Sequence, residues 1–346
     1  MAFTIRHEVL ELRTTHAFNI ARAAAPPVRR TVWLRVDDGN GTEGWGEAAA
    51  NAYYGETADT VTALLPLYEK ALNDALADGD VLALARAEAA VEHAAGRNPA
   101  ARAALSAALH DLAGRQLGVP VWKLWGLDPV MPASSFTIGI DEPATMVQRL
   151  EEAATYPIIK VKVGSPDDRT VLERIRKHAP GKTIRIDANT NWSVKQAVAL
   201  LPLLKELDIE LIEQPFKADD IGSFRILRER SAIPVIADES CRTTADIPRL
   251  AGAVDGINIK LEKCGSLREA IRMVNVARAH HLRVMVGCML CSTLGIAAAM
   301  QIAPLVDWTD LDGAALLAID PFHGPSLAAD GSLTLNSGPG LGVTRR

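Results

Sequence analysis

The chain has no marked excess of either charge. Its 37 Lys and Arg stand against 42 Asp and Glu, a formal net charge of −5 over 346 residues. That balance gives no basic footprint for nucleic acid and no polybasic segment for a membrane surface. No stretch approaches the ~18 uninterrupted apolar residues of a membrane span. Residues Met1 to His7 carry neither the apolar run nor the cleavage site of a secretory leader. Cysteine is scarce: Cys241, Cys264, Cys288 and Cys291 are the only four, all in the last third. They make no disulfide framework, which points to a reducing cytoplasm. Cys288-Met289-Leu290-Cys291 has C-x-x-C spacing, but no second ligand pair is placed to complete a zinc site. The motif follows the apolar run Val284–Gly287, where buried free thiols are common.

What is present divides in two. Phe3 to Arg13 alternates like a strand, and Thr31–Val36 with Gly44–Glu47 reads as a hairpin around Asp38-Gly39-Asn40-Gly41. From Thr57 to Gln116 the pattern is helical and rich in Ala, with Asn98 as an expected N-cap and Pro99 at the first helical position. This is an α+β module over residues 1–125. After Gly126, short apolar runs alternate with helical stretches about every 25 residues. The runs are Ser135–Ile140, Ile158–Val163, Thr183–Ile186, Glu210–Ile212, Val235–Ala237, Gly256–Ile259, Arg283–Val286 and Trp308–Leu311. Eight strands alternating with helices predict a parallel (β/α)8-type barrel over residues 126–319. Residues 320–346 have no barrel element left to supply and are expected to return to the first module around Gly338-Pro339-Gly340.

The run Ile158-Ile159-Lys160-Val161-Lys162-Val163 is apolar on one face and basic on the other. Residues two apart in a strand share a face, so Lys160 and Lys162 project together. Two ammonium groups on a buried strand are costly unless something uses them. Crowding and desolvation would push such a lysine's pKa down and make it a proton acceptor; an edge strand with solvated lysines is the bland alternative.

Chemistry in such barrels collects at the C-terminal ends of the strands. Those ends carry Thr137, then Lys160 with Lys162, then Asp187 with Asn189, Glu213, Asp238 with Glu239, Lys260, and Asp310 with Asp312. Asp187, Glu213 and Asp238 come from successive strands ~5 Å apart and can converge. Three such carboxylates need a counter-ion, and a hard divalent cation with Mg²⁺ as the default fits. Lys162 and Lys260 lie four strands apart in a ring of eight, on opposite sides. A cation between two bases suits removal of a proton next to a carboxylate, with the enediolate stabilised and the proton returned to the other face. Two active lysines give racemisation or epimerisation, and one gives elimination or cycloisomerisation.

Lys160-Val161-Lys162, Asp187-Ala188-Asn189, Glu213-Gln214-Pro215, Ala237-Asp238-Glu239-Ser240 and Asn258-Ile259-Lys260 together resemble, in order, the motifs of the enolase superfamily in its muconate-lactonizing subgroup. The resemblance covers nearly the whole chain. It implies a modified (β/α)7β TIM barrel closed by an α+β capping domain, residues 1–125 completed by 320–346. It also implies Lys162 and Lys260 as acid/base pair and Mg²⁺ on Asp187, Glu213 and Asp238. Lys160 and Thr137 would hold the substrate, with Asn189 and Glu239 supporting the site from behind. Asp310-Leu311-Asp312 is similar to the D-x-D element of the dipeptide epimerases, where it holds the substrate's α-ammonium. Paired carboxylates opposite a cation suit a ligand with charges of both signs.

Two departures stand out. A Cys occupies position 291, where many members of the family have Glu, and Cys288 and Leu290 are expected to face the ligand. Phe18-Asn19-Ile20-Ala21-Arg22 resembles the family's F-x-I-A-R segment, but Ala23 replaces the usual Gly, so the course of the Ala21–Pro27 loop is open. Arg22 would meet a side-chain carboxylate of the substrate, or be bound merely to backbone or a surface acid. The resemblance therefore implies an isomerase, a dipeptide epimerase of the L-Ala-D/L-Glu kind met in peptidoglycan recycling, acting as a homo-oligomer. An N-acylamino acid racemase, o-succinylbenzoate synthase or cycloisomerase on the same scaffold is the alternative, and a non-catalytic small-molecule binding protein a third.

Overall fold

A computed structural model describes residues 2–22, 28–335 and 337–346. Its N-terminal part begins with an antiparallel sheet of β1 (Thr4–Arg13), β2 (Val28–Asp37) and β3 (Glu43–Ala48), in that order. The β2–β3 turn is the one expected. Asp38 Oδ1 accepts from the backbone N–H groups of Asn40 (2.7 Å) and Thr42 (3.1 Å) and so closes it. Along β2, Val32, Leu34 and Val36 face three helices, α1 (Ala58–Ala75), α2 (Leu84–Ala94) and α3 (Pro99–Leu117). Trp33, between them, faces the other core.

α3 is buried on nearly every side, which explains its Ala-rich sequence. It lies against β3 so closely that a Cβ on Gly44 or Gly46 would sit 2.0 Å from the carbonyl oxygens of Ala108 and Ala104. Only glycine allows that approach. Pro99 opens α3 as expected, but the Asn98 side chain makes no capping bond. Instead the buried Glu56 carboxylate, from a preceding loop, accepts from the N–H groups of Ala100 (3.0 Å) and Ala101 (3.4 Å). A charged acceptor at the positive end of the helix displaces the weaker neutral cap.

The barrel follows: β4 (Phe136–Ile138), β5 (Ile158–Lys162), β6 (Thr183–Asp187), β7 (Ile209–Glu213), β8 (Val235–Ala237), β9 (Gly256–Ile259), β10 (Arg283–Gly287) and β11 (Trp308–Asp310). These eight pair in sequence order, all parallel. A parallel bridge between Ser134 and Thr309 brings the first and last together. Helices follow the first seven strands and, among the described residues, none follows β11, which is the (β/α)7β arrangement. Inside the ring the i, i+2 period sets two layers. Leu211, Ile236, Met285 and Trp308 form the apolar floor. Two residues further along the same or neighbouring strands come Asp187, Glu213, Asp238 and Asp310. The pattern that fills a barrel with branched side chains thus turns ionisable at its C-terminal rim.

The tail returns to the N-terminal module. Gly340 bridges Pro120, and Leu341 N–H donates to Asp111 Oδ1 at 2.6 Å. Among the described residues no helix is long and apolar enough to cross a membrane.

Candidate active site

Asp187, Glu213 and Asp238 end β6, β7 and follow β8, all buried, and one oxygen from each lies within 4.8 Å of the others. The register explains this: Lys162 stands beside Asp187 and Asp187 beside Glu213 on adjacent strands. Four lysines surround the three acids. Lys162 Nζ lies 2.6 Å from Asp187 Oδ2, and Lys260 Nζ 2.8 Å from Asp238 Oδ2. Lys160 Nζ reaches Asp310 Oδ2 (2.6 Å), Glu213 Oε2 (2.7 Å) and Asp187 Oδ2 (3.2 Å). Lys263 Nζ donates to Asp238 Oδ1 at 2.5 Å. β5 and β9 lie across the ring, so Lys162 and Lys260 approach the acids from two flanks. Lys260 owes its room to Gly287, where a Cβ would come 3.1 Å from its Cε.

The expectation of a lowered lysine pKa fails in this arrangement. Burial alone would lower Lys160 and Lys260, but the carboxylates outweigh it and hold both well above the ordinary range. For Lys160 these are chiefly Asp310, Glu213 and Asp187, and for Lys260, Asp238 and Glu213. The expectation counted neighbouring cations, whereas each ammonium sits among anions. The acids respond unequally. Burial pushes Glu213 up to about 7, helped by Asp187. Burial would also raise Asp238, but Lys260 and Lys263 hold it well below the carboxylate range. Asp187 is lowered in the same way by Lys162 and Lys160.

The donor set fits a hard divalent cation. It consists of three buried carboxylates, and Glu213 Oε2, despite its 2.7 Å approach to Lys160, accepts no hydrogen bond of good geometry. The lysines crowd the acids as stand-in positive charge.

Across the mouth, Asp310 and Asp312 form a second acidic wall. Asp310 accepts from Ser135 Oγ (2.7 Å) and Lys160, and despite burial these hold its pKa below the usual range, Lys160 first. Asp312 accepts from the Thr137 backbone N–H (2.6 Å). Burial and then the Asp310 charge push it up to about 6. Thr137, Lys160, Lys162, Lys260, Cys288, Leu290, Asp310 and Asp312 line one cavity with Phe18 and Leu316.

Arg22, Asn189 and Glu239 form a separate group beside it. The Arg22 guanidinium pairs with the buried Glu239 carboxylate and lies 4.0 Å over the Tyr53 ring. Asn189 N–H donates to Asp187 Oδ1 at 2.9 Å, and its Nδ2 reaches Glu239 Oε1 at 3.4 Å. Of the Ala21–Pro27 loop, Ala23 to Pro27 lie outside the described residues. Cys291 is fully buried, beside Gly295, and is not among the residues that line the cavity. Cys288 does face it, with Sγ 3.4 Å from the Asp310 carbonyl.

Comparison with known proteins follows the same division of the chain. The N-terminal domain model of mandelate racemase / muconate lactonizing enzymes matches residues 4–126, and the enolase C-terminal domain-like model matches residues 143–346. The chain belongs to the enolase superfamily. Within that superfamily it is an isomerase of the dipeptide epimerase family. It is 38% identical to an L-Ala-D/L-Glu epimerase of Bacteroides thetaiotaomicron, over 97% of this chain and 86% of that one. It is 37% identical to an L-Ala-D/L-amino acid epimerase of Maribacter, over 99% of each. The dipeptide epimerase of Enterococcus faecalis, solved with Mg and the dipeptide L-Leu-L-Tyr, superposes with a TM-score of 0.92 at 29% identity, covering 100% of both chains.

Several residues that build this enolase-type site escaped sequence reasoning. Lys263 is buried and donates to the Asp238 and Cys241 carbonyls, at 2.5 and 3.0 Å, and to the Asn258 carbonyl at 2.8 Å. Its signal was the Lys260–Lys263 spacing, one helical turn on a segment too short to read as a helix. Asn258 Nδ2 donates to Glu213 Oε1 at 2.8 Å, legible as inward-facing two residues before Lys260. Gln214 Oε1 accepts from the Asp238 N–H at 2.8 Å and fixes the turn that aims it. Glu47, on β3 of the cap, accepts from the N–H groups of Ser292 (3.1 Å) and Gly295 (3.1 Å) and anchors the loop carrying Cys288 and Leu290. Nothing local in the sequence pointed to that long-range contact.

Proposed function

We propose that the protein epimerises dipeptides, inverting the α-carbon of the C-terminal residue by proton transfer between Lys162 and Lys260. The observation that carries the reading is the placement of these two amines on separate flanks of one buried acid cluster, with a second acidic wall across the cavity. Asp187, Glu213 and Asp238 would hold Mg²⁺, which when bound supplies positive charge for the substrate carboxylate as its α-proton leaves. Asp310 and Asp312 receive the α-ammonium of the first residue, and Lys160 orients the carboxylate. One lysine takes the α-proton on its face of the α-carbon, and the other delivers a proton to the opposite face. Asp238 and Glu213 hold Lys260 high, and a cation on those carboxylates would relieve that pull and help free the amine to act as base. Asn189 holds Asp187 in place, and Glu239 does the same for Arg22.

The finer reading is an L-Ala-D/L-Glu-type substrate of the kind released in peptidoglycan turnover, processed in the cytoplasm. Arg22 is then the cation for the glutamate side chain, and it must share its charge with Glu239. The test is a dipeptide library scanned with Mg²⁺ in D₂O for deuterium at the C-terminal α-carbon. Exchange on free-amine dipeptides, with little on their N-acetyl counterparts, is expected. Preference for N-acylated substrates would instead favour the racemase alternative.

A further inference from the structure

The cap and the barrel leave a gap along their seam. Between α2 and α3 on one side and the barrel helix Leu267–Ala279 on the other lies a cavity of about 400 Å³. Pockets for whole small molecules run to ~300–1,000 Å³, so the volume is in that class. The cavity shares no lining residue with the one that holds the lysines.

Three arginines and three glutamates line it, and they are not equally satisfied. Arg272 Nε donates to Glu269 Oε2 at 2.7 Å, and Glu269 Oε1 accepts from the Thr244 N–H at 2.8 Å, so that pair is complete. Arg102, from the cap, meets Glu92 Oε1 through Nη1 at 2.8 Å, but its Nε is buried with no partner among the described residues. Its guanidinium lies on the barrel backbone at Gly265, where a Cβ would come 2.7 Å from Nη2 and where φ is +87°. Glycine is what seats it there. The third pair is open: Arg268 Nε stands 3.7 Å from Glu88 Oε2, beyond hydrogen-bond reach. Glu88 Oε1 accepts from the Ser106 hydroxyl at 2.5 Å, and burial still pushes this carboxyl up.

The unused capacity is therefore of both signs, Arg102 Nε and the Arg268 guanidinium against the Glu88 carboxylate. A guest of one sign would be drawn by one group and repelled by the other, whereas a zwitterion satisfies both. The remaining lining includes Ala85, Ala89, Leu105 and Leu109, an aliphatic surface.

We propose that this seam is a second ligand site, for an α-amino acid with an aliphatic side chain. Its carboxylate goes to Arg102 and Arg268, its ammonium to Glu88, and its side chain to Leu105 and Leu109. A guest that touches cap and barrel together stabilises the folded chain by mass action. The site rests on the seam alone and not on the dipeptide epimerase reading, so failure of either leaves the other intact.

The experiment titrates the Mg²⁺-loaded protein by calorimetry with L-leucine, with 4-methylpentanoate, which lacks the ammonium, and with 3-methylbutylamine, which lacks the carboxylate. L-Leucine is expected to bind about tenfold or more tighter than either, the value of one charged hydrogen bond, and to raise Tm. Two variants test the place. Ala89→Phe fills the cavity from an exposed lining position, and Arg268→Gln removes the open cation. Each should weaken L-leucine by about tenfold or more and keep the ligand-free Tm of the wild type, which shows that it is folded. The inference is overturned if millimolar L-leucine gives no binding heat, or binds no tighter than its one-charge analogues. It is equally overturned if both folded variants bind L-leucine as the wild type does, since the guest then sits elsewhere.

Discussion

Two walls of one barrel mouth are lined with buried carboxylates, and their company separates them. On the β6–β8 wall, Asp187 and Asp238 are held ionised by direct lysine partners, while Glu213 is pushed up to about 7. On the β11 wall, Asp310 is ionised against Lys160, while Asp312 is held up to about 6 with a backbone N–H as its donor. The first wall therefore holds two strongly paired acids and one frustrated one, and the second one of each. The lesson is that residue type does not assign a role here. The first wall, three acids converging within 4.8 Å, fits a point charge of +2, and the second, two acids at one strand end, is the one to which the proposed function gives a single ammonium.

The largest effect expected from this contrast is at the amines. Lys162→Ala and Lys260→Ala should each lower kcat for epimerisation by about 10³-fold, since each removes one of the two proton carriers. Equal, modest losses in the two variants would mean that neither flank carries the chemistry. Next comes Lys263, whose removal takes the ammonium donor from Asp238 Oδ1 and from the buried Asp238, Cys241 and Asn258 carbonyls. Lys263→Met should cost about 3–5 kcal/mol, seen as a lower urea midpoint, with Mg²⁺ restoring part of it by binding the folded site. A wild-type midpoint would show that this lysine is not structural.

On the opposite wall, Asp312→Asn should raise KM for free-amine dipeptides by about 10–100-fold and leave their kcat largely unchanged, the value of a charged hydrogen bond. If kcat falls instead, the two walls are not functionally separate. The smallest effect is in pH. Asp312 must be ionised to attract an ammonium, and its pKa is raised to about 6. Affinity is therefore lost as pH falls through about 6 and gained as it rises, so kcat/KM should climb several-fold between about pH 5 and 7. Asp312→Asn should flatten that limb.

Much of this was legible in the sequence because barrels translate strand order into spatial order. Lys162, Asp187 and Glu213 are neighbours on adjacent strands, and the period of two aims all three inward. The eight strands were readable for the same reason, each being a short apolar run ending in polar residues. What escaped depends on contacts between distant elements. Glu56 capping α3 in place of Asn98, Glu47 holding Ser292, and Ser135 donating to Asp310 join residues far apart in the chain. Arg22 belongs with these: its partner Glu239 lies more than two hundred residues away. The lysine pKa values were misjudged because counting Lys160 against Lys162 omitted the carboxylates, which only the closed ring brings near.

The most direct test of the two-base account is deuterium incorporation from D₂O in Lys162→Ala and Lys260→Ala with Mg²⁺, started separately from each epimer of one substrate. The account predicts that epimerisation by each variant falls by about 10³-fold, while each retains α-proton exchange with only the epimer whose proton faces the surviving lysine. Epimerisation by either variant at a rate near that of the wild type, or exchange in the double variant, would contradict it.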